Sequence, residues 1–394
     1  MREDRKVPEI RFPGFTDDWE QRKFRDTVII ERGGSPRPIE AFITEAENGL
    51  NWVKIGDAPA MGNYITKTAE KIRPEGLSKT REVHPGDLVL SNSMSFGKPY
   101  IMGINGCIHD GWLLIRNENK TYDLTFLCHL LGTQRMLDQY KSLAAGSTVN
   151  NLNKELVGST IVSYPTMQEQ KAIGSFLNSL DNLITLHQRK YEEAKEYKKS
   201  MLQKMFPKRG ESVPEIRFPG FTGEWEQRKA KDLCSISTGK SNTKDQIENG
   251  DYPFFIRSDT PVRSNKYLYD CEAVITIGDG NIGKVFHYIN GKFDLHQRCY
   301  KMTDFTDVYG KYFYYYFSTK FYDRAMKMSA KATVDSVRLD MISEMNIQKP
   351  KEMAEQKKIA ELFTSFDSLI TYYQRKTEEI KVYKKALLQK MFVK

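Results

Sequence analysis

The chain has 394 residues, of which 39% are hydrophobic and 28% charged, and its formal net charge at pH 7 is +9. This length is enough for two domains with connecting elements, and this composition argues against a largely disordered or membrane-embedded protein. The excess of Lys and Arg is compatible with a polyanionic partner, but the same balance occurs in proteins that bind no nucleic acid.

No segment predicts a membrane span or a secretory signal, because the apolar runs are short and the first residues after Met1 are charged. The five cysteines are widely separated and include no Cys-x-x-Cys pair, which argues against a disulfide framework or a zinc ribbon. We therefore expect a cytoplasmic protein with free thiols and no membrane contact.

The chain reads as a tandem repeat. Residues 7–23, Val-Pro-Glu-Ile-Arg-Phe-Pro-Gly-Phe-Thr-Asp-Asp-Trp-Glu-Gln-Arg-Lys, return as residues 213–229 with differences only at Asp17/Gly223 and Asp18/Glu224. Each copy leads into a divergent region and closes with a similar helical stretch. The predicted boundaries are 1–163 for the first variable domain, 164–208 for the first long helix, 209–348 for the second variable domain and 349–394 for the second long helix.

The two variable regions predict mixed α/β domains. Short apolar runs bounded by Gly, Pro, Asn and Asp are typical of strands, and they occur at 51–55, 88–90, 253–256 and 273–277. Each region also contains one stretch with a helical pattern, residues 123–141 and 307–329. The second of these is rich in tyrosine, which is compatible with a stacking platform for bases, although a buried helix face is the better interpretation.

The two closing stretches predict long helices with a coiled-coil seam, because apolar residues recur at a seven-residue spacing. A helix of roughly forty residues spans about 60 Å, which exceeds the core of one globular domain. The other copy is the expected partner of each seam, and packing of a long helix on its own domain is the alternative. The predicted seam residues are Ile173, Leu180 and Ile184 in the first helix and Ile359, Phe366, Ile370, Tyr373, Ile380 and Leu387 in the second.

The stretch Gly278-Asp-Gly-Asn-Ile-Gly-Lys-Val satisfies two glycine-rich nucleotide-binding patterns. It lacks the Ser or Thr that follows the phosphate-loop lysine, and residues 285–291 predict a strand and a turn instead of the helix that both sites need. The corresponding loop of the first half keeps only Gly97 and Lys98. We predict no bound cofactor, but both loops suit the approach of backbone and one lysine to a phosphate.

Catalytic and metal-binding patterns are not recognisable in the sequence. The six histidines show no ligand spacing, and neither a nucleophile elbow nor a motif that holds a flipped base occurs. The residues therefore predict no metal site and no catalytic centre.

With this layout, the chain resembles the specificity subunit of Type I restriction–modification systems. The residues that carry the resemblance are the two openings, Ile-Arg-Phe-Pro-Gly-Phe at 10–15 and 216–221, each followed by Trp-Glu. The Glu-Gln pairs at 169–170 and 355–356, each leading into the seam, carry it as well. The resemblance covers the entire chain.

The resemblance implies an α+β chain with two α/β target-recognition domains, separated by two long helices that form an antiparallel coiled coil in a pseudo-twofold tandem repeat. Each domain would read one half of a two-part site in double-stranded DNA. The helices would set the gap and dock two methyltransferase subunits, to which motor-nuclease subunits are added. S-adenosylmethionine, ATP and Mg²⁺ would be bound by those partners, and this chain would catalyse nothing.

Loop residues that can make bidentate or amide contacts are the expected DNA contacts. They are Asn92, Ser93, Ser95, Lys98, Asn150 and Asn151 in the first domain and Arg257, Asp279, Asn281, Lys284 and Arg298 in the second. Two other classes of function stay open: a coiled-coil adaptor without a DNA role, and an autonomous DNA-modifying enzyme.

Overall fold

The computed structural model describes residues 6–92, 96–144, 151–329 and 336–393. The chain forms two compact units, Met1–Lys190 with Tyr373–Lys394, and Tyr191–Tyr372. Each unit therefore contains one variable region and a segment of each long helix.

The first unit is built on two five-stranded sheets and a two-stranded sheet. Its strands are β1 (Glu20–Lys23), β2 (Ile29–Arg32), β3 (Ile43–Thr44), β4 (Leu50–Val53), β5 (Tyr64–Ile65), β6 (Glu70–Ile72), β7 (Arg81–Val83), β8 (Leu88–Ser91), β9 (Pro99–Met102), β10 (Gly106–Ile108), β11 (Trp112–Arg116) and β12 (Ile161–Tyr164). The strand orders are β3-β6-β4-β10-β7 and β2-β11-β8-β9-β5, and β1 pairs antiparallel with β12. Short 3₁₀ helices occur at Phe24–Asp26, Ile39–Ala41, Ile55–Asp57 and Pro74–Lys79.

The helices of the first unit are α1 (Leu124–Leu131), α2 (Gln134–Ala144), α3 (Lys154–Ser159) and the first part of α4 (Met167–Met205). The stretch predicted as one helix at 123–141 is thus two helices. Gly132 ends α1 as its C-cap, and the hydroxyl of Thr133 accepts a hydrogen bond from the Met136 amide at 3.4 Å in the first turn of α2.

The second unit has one six-stranded sheet in the order β14-β19-β17-β18-β15-β16 and a two-stranded sheet of β13 and β20. Its strands are β13 (Glu226–Lys229), β14 (Ser235–Thr238), β15 (Tyr252–Phe255), β16 (Val262–Ser264), β17 (Tyr269–Ile277), β18 (Phe286–Leu295), β19 (Cys299–Thr303) and β20 (Asn346–Lys349). Its helices are α5 (Gly310–Ser329), α6 (Leu339–Ser343), the last part of α4 and the first part of α7 (Met353–Lys390), whose last part belongs to the first unit. Short 3₁₀ helices occur at Ala230–Asp232 and Thr243–Asp245.

Two expectations about the second variable region have clear outcomes. The turn predicted within 285–291 is wrong, because β18 continues through Asn290 and Gly291, which pair with Glu272 and Cys271 of the long neighbouring strand β17. The interpretation of the tyrosine-rich stretch as a buried helix face is confirmed. Tyr312, Phe313 and Phe317 of α5 are completely buried in the core of the second unit, together with Phe321 and Ala325.

A buried ion pair explains why the same opening recurs in both halves. In the first unit, Arg11 donates from Nε and Nη2 to the carboxylate of Glu169 at 2.7 and 2.8 Å. In the second unit, Arg217 makes the same pair of bonds to Glu355 at the same distances. The two carboxylates are at most 1% exposed, so each needs its bidentate partner. This contact fixes each opening on the first turn of α4 or α7.

Each opening also caps the end of a long helix. The Ile216 amide donates to the carbonyl of Lys204 near the end of α4 at 3.0 Å, and the Ile10 amide donates to the carbonyl of Lys390 at the end of α7 at 2.9 Å. Phe392, just after α7, packs against Trp19 of the first opening with ring centroids 6.2 Å apart. Met391 and Phe392 thus lie in the core of the first unit, as Met205 and Phe206 lie in the core of the second.

Within each unit, the segments of α4 and α7 are joined by an equivalent lysine–aspartate pair. In the first unit, Lys384 Nζ lies 2.5 Å from Asp181 Oδ1, and His187 contacts Tyr373. From Asp181 to His187 along α4, the contacted residue of α7 changes from Lys384 to Tyr373, so these segments run antiparallel. In the second unit, Lys198 Nζ lies 2.5 Å from Asp367 Oδ1. Among the helices that the structure describes, none has both the length and the apolar character required to cross a bilayer.

The predicted seam residues differ in burial. Ile173, Leu180 and Leu387 belong to the core of the first unit, with Ile380 packed at its border. Ile359 lies in the core of the second unit, with Phe366 packed against it. Ile184 is buried as well, and Ile370 and Tyr373 are half-buried.

Candidate nucleic-acid interface

In the first unit, three loops meet at one edge of the sheet. Strand β11 pairs antiparallel with β2 and β8, and the register places Leu113 opposite Arg32 and Trp112 opposite Ser91. The loops that follow β2 and β8 therefore lie beside the loop that precedes β11. We call this set the first loop edge, and its described residues are 33–35, 92, 96–98 and 109–111.

The second unit repeats this arrangement with β14, β17 and β19. Here the register places Tyr300 opposite Thr238 and Cys299 opposite Ile277. The second loop edge consists of residues 239–241, 278–284 and 296–298. Residues 54–55 after β4 and 256–257 after β15 lie beside these loops and are counted with the first and the second edge. Because the two edges arise from the same strand connections, their residues can be compared position by position.

A histidine turn occurs at the same place in both edges. His109 Nδ1 accepts a hydrogen bond from the Gly111 amide at 2.9 Å, and His296 Nδ1 accepts one from the Arg298 amide at 3.1 Å. Burial, followed by the nearby charge of Arg257, lowers the pKa of His296, which favours the neutral ring that can accept this bond. Sequence reasoning missed these residues because it searched for metal spacing. The available signal was a His three residues before a strand in both halves.

The Gly-Lys pair is a second element shared by both edges. Gly97 has φ +73° and Gly283 has φ +68°, the left-handed region that favours glycine. A Cβ at Gly97 would lie 2.8 Å from the ring of Tyr140, and one at Gly283 would lie 3.0 Å from Cα of Tyr322. Glycine is therefore needed at both positions for the loop to rest on the adjacent helix.

The lysine after each of these glycines is exposed to solvent. Lys98 Nζ lies 4.9 Å from the ring centroid of Tyr100, and Lys284 Nζ lies 5.5 Å from that of Tyr322. Both edges thus present one cation on a tightly packed turn, although the residues around it differ.

The first edge uses its predicted asparagine internally. Asn92 is only 3% exposed, and its Nδ2 donates to the carbonyl of Asp110 at 2.8 Å. Its backbone carbonyl accepts from the Leu152 amide at 3.0 Å. The structure thus places Asn92 beneath the histidine turn and Asn151 on the surface beside it. Ser93, Ser95 and Asn150 lie outside the described residues.

A cleft of about 790 Å³ opens next to the first edge. Its walls include Arg37, Lys54 and Glu70, and Lys54 Nζ lies 2.5 Å from Glu70 Oε1. Trp52 and His109 form another part of the wall, with ring centroids 5.7 Å apart. This cleft combines one aromatic wall with charges of both signs.

The second edge brings three predicted residues together from three different loops. Arg257 Nη1 lies 3.1 Å from both carboxylate oxygens of Asp279, and Arg298 Nη1 lies 2.8 Å from Asp279 Oδ2. Partial burial raises the pKa of Asp279, but the hydrogen bonds from Arg298 and Arg257 outweigh it and lower that pKa. Asn281 and Lys284 are exposed on the same loop as Asp279.

The first edge has no arginine at either equivalent position. The His109 amide donates to the carbonyl of Val53, and the His296 amide donates to the carbonyl of Phe255. Each acceptor is the last residue of a neighbouring strand. Two residues later stand Ile55 in the first unit and Arg257 in the second. Likewise, Gly111 occupies the place of Arg298. The edges therefore share their backbone turns and differ in the side chains that these turns carry.

In the described part of the chain, no group of three or more His, Cys, Asp or Glu side chains is placed to hold a metal ion. What the two edges offer is exposed cations and amides on rigid turns, which is chemistry for binding a polyanion.

The chain is similar to known specificity subunits. The chain is 23% identical to the Type I restriction enzyme MjaVIII specificity subunit of Methanocaldococcus jannaschii, over 94% of this chain and 91% of that protein. The putative MjaX specificity subunit of the same organism is 25% identical over 49% of this chain and 46% of that protein.

Two solved structures share the fold. The Type I restriction-modification S subunit from M. genitalium superimposes with a TM-score of 0.70 at 14% identity, covering 98% of this chain and 99% of that one. A chain from a study of complex assembly in the type I R-M system gives a TM-score of 0.53 at 17% identity, again covering 98% and 99%. The predicted α+β fold with a repeated recognition domain is confirmed.

The family model described as the Type I restriction modification DNA specificity domain matches twice, at residues 16–196 and 222–382. The two matches include both loop edges and most of both long helices. The resemblance expected from the repeated openings is thereby confirmed, and the chain belongs to the family of Type I restriction–modification DNA specificity proteins.

Proposed function

We propose that this chain is the DNA-recognition subunit of a Type I restriction–modification complex and that each loop edge reads one half of a two-part site in double-stranded DNA. The observation that carries this proposal is that the two edges have equivalent backbone turns with different side chains on them. Two copies of one binding frame with different reading residues suit an asymmetric target. Family membership and the near-complete alignment with the MjaVIII specificity subunit support it.

The shared and the divergent residues suit different parts of the DNA. Contacts to phosphates fix register and carry no sequence information, whereas contacts to base edges specify. Lys98 and Lys284, which follow equivalent glycines, are suited to phosphates in both half-sites. Arg257 and Arg298, with no counterpart in the first unit, are suited to bases.

The long helices carry two equivalent sets of exposed apolar side chains. Exposure of each of these residues lies between 41% and 58%, and two equivalent sets suit two copies of one partner. We assign them to two methyltransferase subunits, to which motor-nuclease subunits add in the full complex. The sets are Leu183, Leu186 and Tyr383 in the first unit and Leu369, Tyr372 and Tyr197 in the second.

Catalysis belongs to those partners in this proposal. S-adenosylmethionine, ATP and Mg²⁺ would bind to the methyltransferase and motor-nuclease subunits, and the specificity subunit alone would methylate and cut nothing. Isothermal titration of the purified chain checks this point. Micromolar binding of S-adenosylmethionine or ATP would favour an autonomous DNA-modifying enzyme instead.

The helices are also proposed to set the gap between the half-sites. Inserting seven residues after Glu193 and again after Glu379 keeps the seam in register and adds about 10 Å to each helix. We expect the mapped methylated adenines to move apart by at most about three base pairs while both half-sites stay the same. An active variant that keeps the original gap would assign the spacing to the partner subunits.

A gel-shift series across salt tests the DNA role of the complete complex with its methyltransferase subunits. The affinity should fall steeply with salt, and Lys98→Ala and Lys284→Ala should each reduce the slope of log K against log salt by about one. Lys120→Ala is the matched control, because this exposed lysine follows the far end of β11. Binding that is absent or independent of salt would leave the coiled-coil adaptor as the better interpretation.

A further inference from the structure

The second loop edge contains an arginine pair held by one carboxylate. Arg257 follows β15, Asp279 follows β17 and Arg298 precedes β19, so only the folded sheet brings them together. The side chains of the two arginines are 45% and 63% exposed, whereas that of Asp279 is 19% exposed. The carboxylate therefore lies below two guanidinium groups that reach solvent.

We infer that Arg257 and Arg298 each read a guanine in the major groove of the second half-site and that Asp279 is the residue that positions them. This inference rests on the proposed DNA-recognition function and adds the identity of the bases. It predicts guanine contacts in one half-site, since Ile55 and Gly111 stand at the corresponding places of the first edge.

The hydrogen bonds of the two guanidinium groups leave donors for a base. Both arginines use Nη1 for Asp279, and within the described part of the chain Nε and Nη2 of either arginine donate no hydrogen bond. Two adjacent N–H donors in a fixed fork match two adjacent acceptors. In the major groove, guanine presents O6 and N7 as such a pair, whereas adenine places a donor next to N7.

The positions of the two arginines favour a role in recognising DNA bases over a role in stabilising the fold. Exposed ion pairs contribute little to stability, so a cluster of this kind is not explained by the packing of the second unit. Arg298 is also the residue whose amide is held by the His296 turn at 3.1 Å. This hydrogen bond restrains the backbone under the side chain, which lowers the entropic cost of placing the side chain against a base.

Asp279 has a role of its own in this arrangement. Its two oxygens fix the Nη1 ends of both forks and lower the local net charge from two positive charges to one. Without it, both arginines would turn freely toward phosphates, and specificity would fall while affinity for unrelated DNA would rise. A residue that merely stabilised the fold would reduce binding to all sequences alike.

The test uses the complete complex with its methyltransferase subunits and a library of randomised second half-sites. Arg257→Ala and Arg298→Ala should each lose about 5- to 150-fold of the preference for guanine at one position. Arg→Lys at either site should restore little, because a lysine lacks the fork. The first half-site and the gap should stay unchanged, and circular dichroism should show a folded variant.

Asp279→Asn supplies the readout that separates positioning from folding. The variant should lose part of the preference at both guanines together and bind unrelated DNA more tightly than the wild type. Lys284→Ala is the matched control on the same loop, and it should weaken binding to all sequences alike. An Asp279→Asn complex with the wild-type base preference would overturn the positioning role.

Synthetic duplexes give a check without mutation. Replacing each guanine of the second half-site by 7-deazaguanine removes N7 and keeps base pairing, so wild-type binding should weaken at two positions and no longer respond to the matching Arg→Ala change. A wild-type complex with a defined two-part site but no guanine sensitivity in the second half would overturn this inference alone. A wild-type complex with no sequence preference would overturn the proposed function itself.

Discussion

The two loop edges use the same backbone turns for different side chains. Both have a histidine turn and a Gly-Lys pair, but Arg298 and Arg257 of the second edge correspond to Gly111 and Ile55 of the first. The supporting sheets differ as well, with two five-stranded sheets under the first edge and one six-stranded sheet under the second. Turns that place the loops are thus kept, while the residues that would read bases are free to change.

The two openings and the two long helices, which we call the frame, instead keep the same contacts in both units. The buried pairs Arg11–Glu169 and Arg217–Glu355 have the same two distances in both units. The lysine–aspartate pairs between the helix segments also match at 2.5 Å. Since these contacts are buried or partly buried, a change on one side leaves a charge without its partner. This requirement explains why the Arg–Glu and Lys–Asp pairs recur at equivalent positions of the two units.

The largest expected effect comes from removing the buried arginine–glutamate pair of either unit. Glu169→Ala or Glu355→Ala leaves a largely buried arginine without its carboxylate and should destabilise the affected unit by about 3–5 kcal/mol. Denaturant unfolding followed by circular dichroism measures this loss. Glu361→Ala, on an exposed position of α7, is the control and should change stability by less than about 0.5 kcal/mol. Clearly unequal losses for the two glutamates would contradict the equivalence of the two frames.

A smaller effect concerns the shared glycines. Gly97→Ala and Gly283→Ala force an alanine into the left-handed region and against Tyr140 or Tyr322, which should cost about 1–3 kcal/mol. Both variants should also lose affinity for DNA, because the following lysine is displaced. Gly86→Ala is a matched control, since Gly86 has φ +96° but open space around its Cβ. If this control lost as much DNA affinity, the contact with the helix would not be the cause.

The smallest expected effect is a difference between the two units in the pH dependence of their stability. Burial, followed by the charge of Lys384, lowers the pKa of His129 in the first unit to about 3, although Asp181 Oδ2 lies 3.7 Å from its Nε2. The unfolded chain binds this proton near pH 6.5 and the folded unit does not, so stability falls as pH drops below about 6.5. The second unit has Tyr315 at the equivalent place, bonded to Asp367 at 2.7 Å.

Between pH 7 and pH 5.5 this difference should cost the first unit about 1 kcal/mol. Hydrogen exchange of α1 amides, compared with α5 amides over the same range, measures it. His129→Gln removes the titrating group and should remove the extra acid sensitivity of the first unit. Equal acid responses of α1 and α5 in the wild type would show that His129 is protonated in the folded unit.

Local sequence signals sufficed for the two openings, the two long helices and a few of the strands. The openings, the helix seam and the runs at 88–90 and 273–277 are recognisable because each depends on neighbouring residues. The end of β4 at Val53 was harder to predict from the sequence. The strand stops there because the Asp57 carboxylate accepts a hydrogen bond from the Lys54 amide at 2.8 Å and so caps a 3₁₀ turn. The division of one predicted helix into α1 and α2 had a local signal that the prediction did not use, since Gly132 ends α1 and Thr133 stands at the start of α2.

The candidate site was only partly predictable for a related reason. Sequence reasoning selected Arg257, Asp279 and Arg298 as separate loop residues, but their contact requires the ends of β15 and β17 and the start of β19 to meet at one edge. It also selected Asn92 for its amide, while the fold places that amide under a turn. Pairings between distant strands are not encoded in local spacing, so such sites emerge only from the register of the sheet.

Methylome mapping of a hybrid chain tests the central claim most directly. Residues 24–163 would be replaced by the matching region of a relative with a different first half-site, and the hybrid would be expressed with the methyltransferase subunits. The two-edge account predicts that one half of the methylated site changes to that of the donor, while the other half and the gap stay as they were. A hybrid that is folded and active but alters both half-sites would contradict the assignment of one half-site to each loop edge.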